Sequence, residues 1–441
     1  MFLTSIRSGF IIFFMTDRAP QIIRTRFWLV LAVSFIILFP LFPADFRALS
    51  RLPVRTGADL LLKKHEDLIR GKRIGLITNQ TALLSDGIHL ADALAQDKDV
   101  KLMALFAPEH GIRGDAPDMM DIQQGKDPKT GIPVYSLFGE ITKPTAEMLK
   151  GIDILVFDIQ DVGARFYTFI STLFLTMEVA AENNLPFIVL DRPNPIRGLS
   201  VEGPVREEPL KSFVAWPPIP IAHGMTMGEL AMMANGEGWL KDGEKADLRV
   251  IKMEGWDRSL WYDETGLRWT QPSPSMLTLN TAVVYPGACL IEGTNVSEGR
   301  GSSRPFEYVG APWIEPDKLT AALNRMKLPG VTFEPETFTP KNVSRLTTDL
   351  KFDGEICRGV FINVRNRDIF EPVKTGVAVL SALYRLFPQD FKFRADRLDG
   401  LAGTGRVREM ILQGKPVDEI AASWKKEVDL FKNRRRKYLL Y

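Results

Sequence analysis

Cysteine and histidine are scarce in this chain: 441 residues include two cysteines, Cys289 and Cys357, and four histidines, His65, His89, His110 and His223. That scarcity excludes Cys-rich zinc modules, iron–sulfur sites and a disulfide-built scaffold. A surplus of charge is missing too. Lys+Arg number 56 against Asp+Glu 54, a formal net charge of +2, so no electrostatic footprint for nucleic acid exists and none is expected as a partner. The one basic run, residues 434–437 (RRRK), reads as a solvated C-terminal tail. Also absent are a Gly-x-Gly-x-x-Gly turn and a Gly-x-x-x-x-Gly-Lys-Ser/Thr loop, which removes the usual dinucleotide and nucleoside-triphosphate signatures. Neither His-Glu-x-x-His nor Gly-x-Ser-x-Gly occurs, which disfavours a zincin protease and an α/β-hydrolase esterase. No cofactor and no metal is therefore expected.

What is present is ordinary globular material, 45% hydrophobic and 25% charged, long enough for two domains with a leader. The longest apolar run, residues 27–42 (FWLVLAVSFIILFPLF), follows Arg24 and Arg26 and precedes Pro43. Residues 1–50 therefore read as a signal peptide or an N-terminal membrane anchor, with Met15 as a sensible alternative start. Either reading makes the chain exported, as a periplasmic or secreted protein, and the anchor reading holds it at the inner membrane. In that compartment the two cysteines are able to form one disulfide if the fold brings them together.

From residue 55 short Val/Ile/Leu-rich runs alternate with helical patterns. Strands are expected at 73–78, 101–106, 153–157 and 186–190, with helices at 59–70, 87–95, 145–150 and 168–183. This alternation predicts a parallel α/β sheet covered on both faces. All four runs end in polar, turn-forming or ionisable residues, and ligands of open α/β sheets bind beyond the carboxyl ends of the strands, so one cleft is expected there. Residues 201–220 form a proline-rich connection. A helix is expected at 226–235 and a strand at 248–253. Residues 271–280 read as a loop, with Tyr285, Pro286 and Gly287 introducing the glycine-rich segment 292–301. Further on, helices are expected at 316–326, 373–386 and 417–431 and a strand at 358–363. The economical division is an α/β catalytic domain at 51–244 and a mixed α+β domain at 245–441.

Carboxylates and arginines collect at the loop tips: Glu109, Asp158, Asp161, Arg165, Asp191, Arg192, Glu292, Glu298 and Arg300. Glycoside hydrolysis is the chemistry that most naturally uses carboxyl groups without metal or nucleotide, one protonating the leaving oxygen and another acting as base, nucleophile or stabiliser. Each acid has an ordinary use as well, in a turn, a cap or an ion pair.

Six ordered strings carry a resemblance: residues 74–81 (IGLITNQT), 106–114 (FAPEHGIRG), 158–168 (DIQDVGARFYT), 190–195 (LDRPNP), 223–231 (HGMTMGELA) and 292–301 (EGTNVSEGRG). Together they resemble the NamZ-type exo-β-N-acetylmuramidases, formerly a domain of unknown function, from about residue 55 to the C-terminus. The resemblance implies a hydrolase that releases terminal N-acetylmuramic acid from the non-reducing end of peptidoglycan fragments. It also implies a Rossmann-like domain with a smaller auxiliary domain and an active site between them. Its partners would be peptidoglycan-derived saccharides or muropeptides. Glu109 falls on the family's favoured catalytic acid, with Ala107 where the family often has Ser, and His110 either orients that acid or packs in its loop.

Asp161 and Glu298 are the preferred second carboxylates, beside an alternative route in which the substrate's acetamido group is the nucleophile. The lactyl carboxylate of the substrate calls for an arginine, with Arg165, Arg192 and Arg300 as candidates. Asn79, Asn194 and Asn295 are candidates for hydroxyl or acetamido contacts, and Tyr167 and His223 complete the expected site. Two other readings stay open: a non-catalytic muropeptide-binding protein, and a peptidoglycan esterase or amidase, for which no nucleophile is evident.

Overall fold

Short runs of Val, Ile, Leu and Phe form the central strands of one sheet, buried along nearly their whole length because helices cover both faces. The computed structural model describes residues 53–114, 125–342 and 350–441; the apolar run expected to be a signal or anchor lies outside them. In chain order come α1 (Gly57–Lys64), β1 (Arg73–Thr78), α2 (Leu90–Gln96), β2 (Lys101–Ala107), β3 (Gly125–Lys126), β4 (Pro133–Ser136), β5 (Ile154–Asp158), α3 (Phe169–Glu182), β6 (Phe187–Leu190), α4 (Met227–Glu237) and β7 (Leu248–Ile251). The sheet order is β3-β4-β2-β1-β5-β6-β7. Every neighbouring pair is parallel except β3 with β4.

Successive side chains on a strand point to opposite faces, and both are packed here. On β5, Ile154 and Val156 join Leu60, Leu90 and Leu94 in one core, whereas Leu155 and Phe157 join Phe106, Phe174 and Met177 in the other. Helices α1 and α2 thus cover one face, and α3 and α4 the other.

The remaining elements are α5 (Leu279–Ala288), β8 (Tyr308–Ala311), α6 (Pro316–Arg325), β9 (Val331–Phe338), β10 (Cys357–Val364), α7 (Pro372–Leu386), α8 (Ala395–Ala402), α9 (Arg406–Leu412), α10 (Val417–Ala422) and α11 (Lys425–Arg435). Their sheet, in the order β8-β10-β9, is antiparallel. The expected architecture, a parallel α/β sheet with a smaller α+β part, is the one observed. Both parts belong to a single unit, Pro53–Tyr441.

Several expectations need correcting. A boundary at 244/245 cuts off β7, which pairs with β6 and completes the large sheet. Residues 145–150 form turns rather than a helix. The expected helix at 417–431 is two helices, α10 and α11, separated near Ser423 and Trp424. Strand β9 was not anticipated although its inward Val331 and Phe333 alternate with polar residues; it lies at the sheet edge, where Pro335 is tolerated.

Tyr285, Pro286 and Gly287, expected to introduce the glycine-rich segment 292–301, form the end of helix α5. Thr278 caps it by accepting from the Thr281 N–H, and Pro286 is accommodated within the helix. Gly287 is there for contact with a neighbouring helix: a Cβ on it would lie 1.8 Å from the Pro372 carbonyl oxygen, and one on Gly376 would lie 2.3 Å from the Gly287 oxygen. Helices α5 and α7 therefore cross with their backbones touching. Cys289 and Cys357 are buried free thiols.

Candidate active site

A cavity of about 520 Å³ is walled by the β2 tip, the start of α3, and the segments around α5, Glu298, Lys351 and α8. From the large sheet comes Glu109, half-buried two residues beyond β2. The chain turns sharply behind it, because His110 and Gly111 both have positive φ (74° and 79°). Such a conformation is uncommon for a residue with a side chain and is often held at functional sites. The Thr168 hydroxyl donates to Glu109 Oε2 at 2.9 Å. Beside it, Tyr167 meets Tyr285 edge-on (5.8 Å between centroids), and Tyr285 meets Phe306 in the same way (4.8 Å). Phe138 and Phe213 add a second aromatic pair to the wall.

The C-terminal half supplies a cluster of charge. Glu292 accepts from Arg300 Nη2 at 2.7 Å and from Arg397 Nη2 at 2.6 Å, one arginine on each oxygen. Burial opposes its ionisation, but the two guanidinium groups outweigh burial and hold the carboxyl down at about 2. Glu298 is likewise occupied, by Lys351 Nζ at 2.9 Å and Arg300 Nε at 3.4 Å. Lys351 also donates to the Val296 carbonyl, which fixes the loop that carries Glu298. Burial and the Glu292 charge push the Cys289 thiol up, so it stays protonated beside this pair. Arg394 and Arg397 line the same cavity from α8 and its N-terminal flank, at the solvent-exposed side.

Of the residues expected at the site, Glu109, His110, Tyr167, Glu298 and Arg300 line this cavity, and the others do not. Arg165 is buried and donates to three main-chain carbonyls, those of Pro204, Ile219 and Leu401. It ties the segment after β5 to the end of α8 and leaves no fork for a substrate carboxylate. Arg192 forms a buried two-pronged pair with Asp158 (2.5 and 2.9 Å) and also reaches the Leu83 carbonyl. Asp161 accepts from the Gly163 N–H and faces His223 Nε2 at 3.5 Å, both inside the fold. Asn79 closes a turn onto Thr81. Asn194 bridges Met225 and Ile196. Asn295 clamps Asp390 and Lys392.

The expected cleft over all four strand tips is therefore corrected as well. The tips of β1, β5 and β6 are stitched to one another by Thr81, Gln160 and Arg192, and only β2 opens onto the cavity. Sequence reasoning missed Thr168, Lys351, Arg394 and Arg397. Thr168 is the last residue of the 158–168 string that carries the family resemblance. The three cations had no local signal, because they approach from segments separated by 50 residues or more from Glu298 or Glu292.

Comparison with known proteins finds relatives along nearly the whole described chain. A model described as exo-beta-N-acetylmuramidase NamZ, N-terminal, matches residues 74–280, and its C-terminal counterpart matches residues 283–441. The seam between them falls inside α5. The chain is 48% identical over 389 residues to the peptidoglycan beta-N-acetylmuramidase NamZ of Bacillus subtilis (strain 168), covering 88% of this chain and 91% of that protein. Two crystal structures of DUF1343 family proteins from Bacteroides fragilis NCTC 9343 are similar. One has a TM-score of 0.81 at 39% identity, covering 89% of this chain and 100% of the other; the second has 0.73 at 34%, covering 88% and 99%.

Proposed function

The chain belongs to the exo-β-N-acetylmuramidase NamZ family, and from that premise we propose that it is a glycoside hydrolase that releases terminal N-acetylmuramic acid from the non-reducing end of peptidoglycan fragments in cell-wall turnover. The observation that carries the assignment to this cavity is Glu109, half-buried and held by a hydroxyl, sharing one enclosure with a cationic cluster. Glu109 is the general acid: its proton goes to the glycosidic oxygen as the C1–O bond breaks.

The cationic side answers the substrate's one permanent charge. Arg394 and Arg397, the two arginines on the exposed side of the cavity, receive the lactyl carboxylate, which N-acetylglucosamine lacks, Arg397 while also holding Glu292; Arg300 and Lys351 sit deeper, on Glu292 and Glu298. A carboxylate with a cation on each oxygen is a poor nucleophile, so Glu292 and Glu298 serve here to position those cations. The aromatic faces of Tyr167, Phe138 and Phe213 offer apolar surface to the pyranose rings. The decisive test supplies MurNAc-β-1,4-GlcNAc and GlcNAc-β-1,4-GlcNAc to the purified protein and follows products by mass spectrometry. Free N-acetylmuramic acid from the first substrate alone supports the reading; cleavage of an ester or amide, or binding without turnover, refutes it.

Export is part of the same proposal. The apolar run at 27–42 behind Arg24 and Arg26 supports a periplasmic or secreted protein. Fractionation of cells expressing the full chain should find the activity outside the cytoplasm, and activity confined to the cytosol would refute this part.

A further inference from the structure

Thr168 stands in the N-cap position of α3, where a threonine ordinarily turns its hydroxyl onto the first free N–H groups of the helix. Here it makes no capping bond. Its hydroxyl reaches Glu109 Oε2 at 2.9 Å instead, joining the start of α3 to the β2 tip across 59 residues of sequence. The bond therefore ties the carboxyl to the N-cap residue of a 14-residue helix, at the end of a helix that favours negative charge. The aromatic contact of Tyr167 with Phe169 (4.9 Å) and the burial of Phe169 hold the helix start in place.

We propose that Thr168 is a positioning residue for acid catalysis, fixing which oxygen of Glu109 carries the transferable proton and stabilising the carboxylate that remains. The inference rests on Glu109 being the general acid, as in the reading above. Because Oε2 accepts from Thr168, the proton of the neutral carboxyl resides on Oε1. In the reaction that proton passes to the glycosidic oxygen, and the C1–O electron pair leaves with the oxygen. The water that completes hydrolysis adds its oxygen to C1 and returns a proton to Glu109. A hydrogen bond to an ionised acceptor is stronger than one to a neutral acceptor, so the Thr168 bond strengthens as the proton departs. Its contribution therefore falls on the transition state rather than on substrate binding.

The test varies the leaving group. A sugar alcohol must be protonated to leave, whereas 4-nitrophenolate departs without a proton, so loss of acid catalysis slows the first substrate only. Thr168→Val is expected to lower kcat on MurNAc-β-1,4-GlcNAc about tenfold, with KM unchanged and with 4-nitrophenyl β-N-acetylmuramide hydrolysed within about twofold of wild type. Thr168→Ser, which keeps the donor, should restore the disaccharide rate. Should the valine variant not fold, Thr168→Cys carries the same comparison, since a thiol is a weak donor of similar shape. Equal loss on both substrates, no loss on either, or failure of serine to rescue overturns the proposal. Glu109→Gln run in parallel separates the two claims. If it shows no leaving-group dependence, the assignment of Glu109 falls; if it does and Thr168→Val does not, only the role of Thr168 falls.

Discussion

The tip of β2 and the tips of β1, β5 and β6 carry the same kinds of residue, yet they do opposite things. At β5 and β6 the polar groups turn inward onto the protein itself: Asp158 pairs with Arg192, the Gln160 amide donates to the Asp161 and Pro193 carbonyls, and Asp191 accepts from Thr226, Gly228 and Tyr441. At β2 the chain reverses through His110 and Gly111 and leaves Glu109 on a cavity wall. A polar strand end is thus a site only where the neighbouring chain does not close over it. In this protein the C-terminal half faces the open tip with cations rather than filling it.

The largest effect that would sharpen this contrast is Glu109→Gln, which should lower the turnover of MurNAc-β-1,4-GlcNAc by about 10²–10⁴ while the urea midpoint stays near wild type. Asp161→Asn, at a closed tip, should leave far more activity, and a reversal of that order would break the comparison. Next comes Arg165→Met, which abandons three buried carbonyl acceptors. It should destabilise the fold by about 4 kcal/mol in urea titration, with KM of the protein that remains folded little changed. A large rise in KM at unchanged stability would return Arg165 to the substrate.

Asp191 gives a pH test of a closed tip. Its carboxyl is pushed up to about 7 by burial, with the Glu229 charge adding, while the Gly228 N–H and the hydroxyls of Thr226 and Tyr441 work the other way. Its folded pKa thus exceeds the ordinary 3.8, so the native state binds the proton more tightly than the unfolded chain. The stability it contributes is full below about pH 4 and is lost as pH rises to about 7. Urea titrations across that window should show wild type losing on the order of 3 kcal/mol relative to Asp191→Asn; parallel curves would mean that Asp191 does not titrate there. Smallest of all, Asn295→Ala should cost about 1 kcal/mol through its clamp on Asp390 and Lys392 and leave the rate unchanged.

The sequence made the open tip legible because turn chemistry alone does not explain Glu109 and His110 after a strand, whereas Asp161 and Arg192 carry the same kind of polar signal and lie inside the fold. Nothing local separates an arginine that meets a substrate from one that meets a carbonyl 236 residues away, as Arg165 meets Leu401. The parallel sheet was readable from its continuous apolar runs. Helix α5 was not, because Pro286 and Gly287 look like turn residues until the helix that Gly287 must touch is known. For the same reason Lys351 and Arg397 escaped notice: their function is set by Glu298 and Glu292, far away in sequence.

The account stands or falls on where a terminal N-acetylmuramic acid sits. A crystal structure of the Glu109→Gln variant with MurNAc-β-1,4-GlcNAc tests this directly. The lactyl carboxylate should lie within hydrogen-bonding distance of Arg394 or Arg397, with the glycosidic oxygen against the side chain at position 109. A disaccharide bound instead in the polar cleft of Gln80, Asp92 and Arg113, or reversed so that its carboxylate meets Phe138 and Phe213, would contradict it.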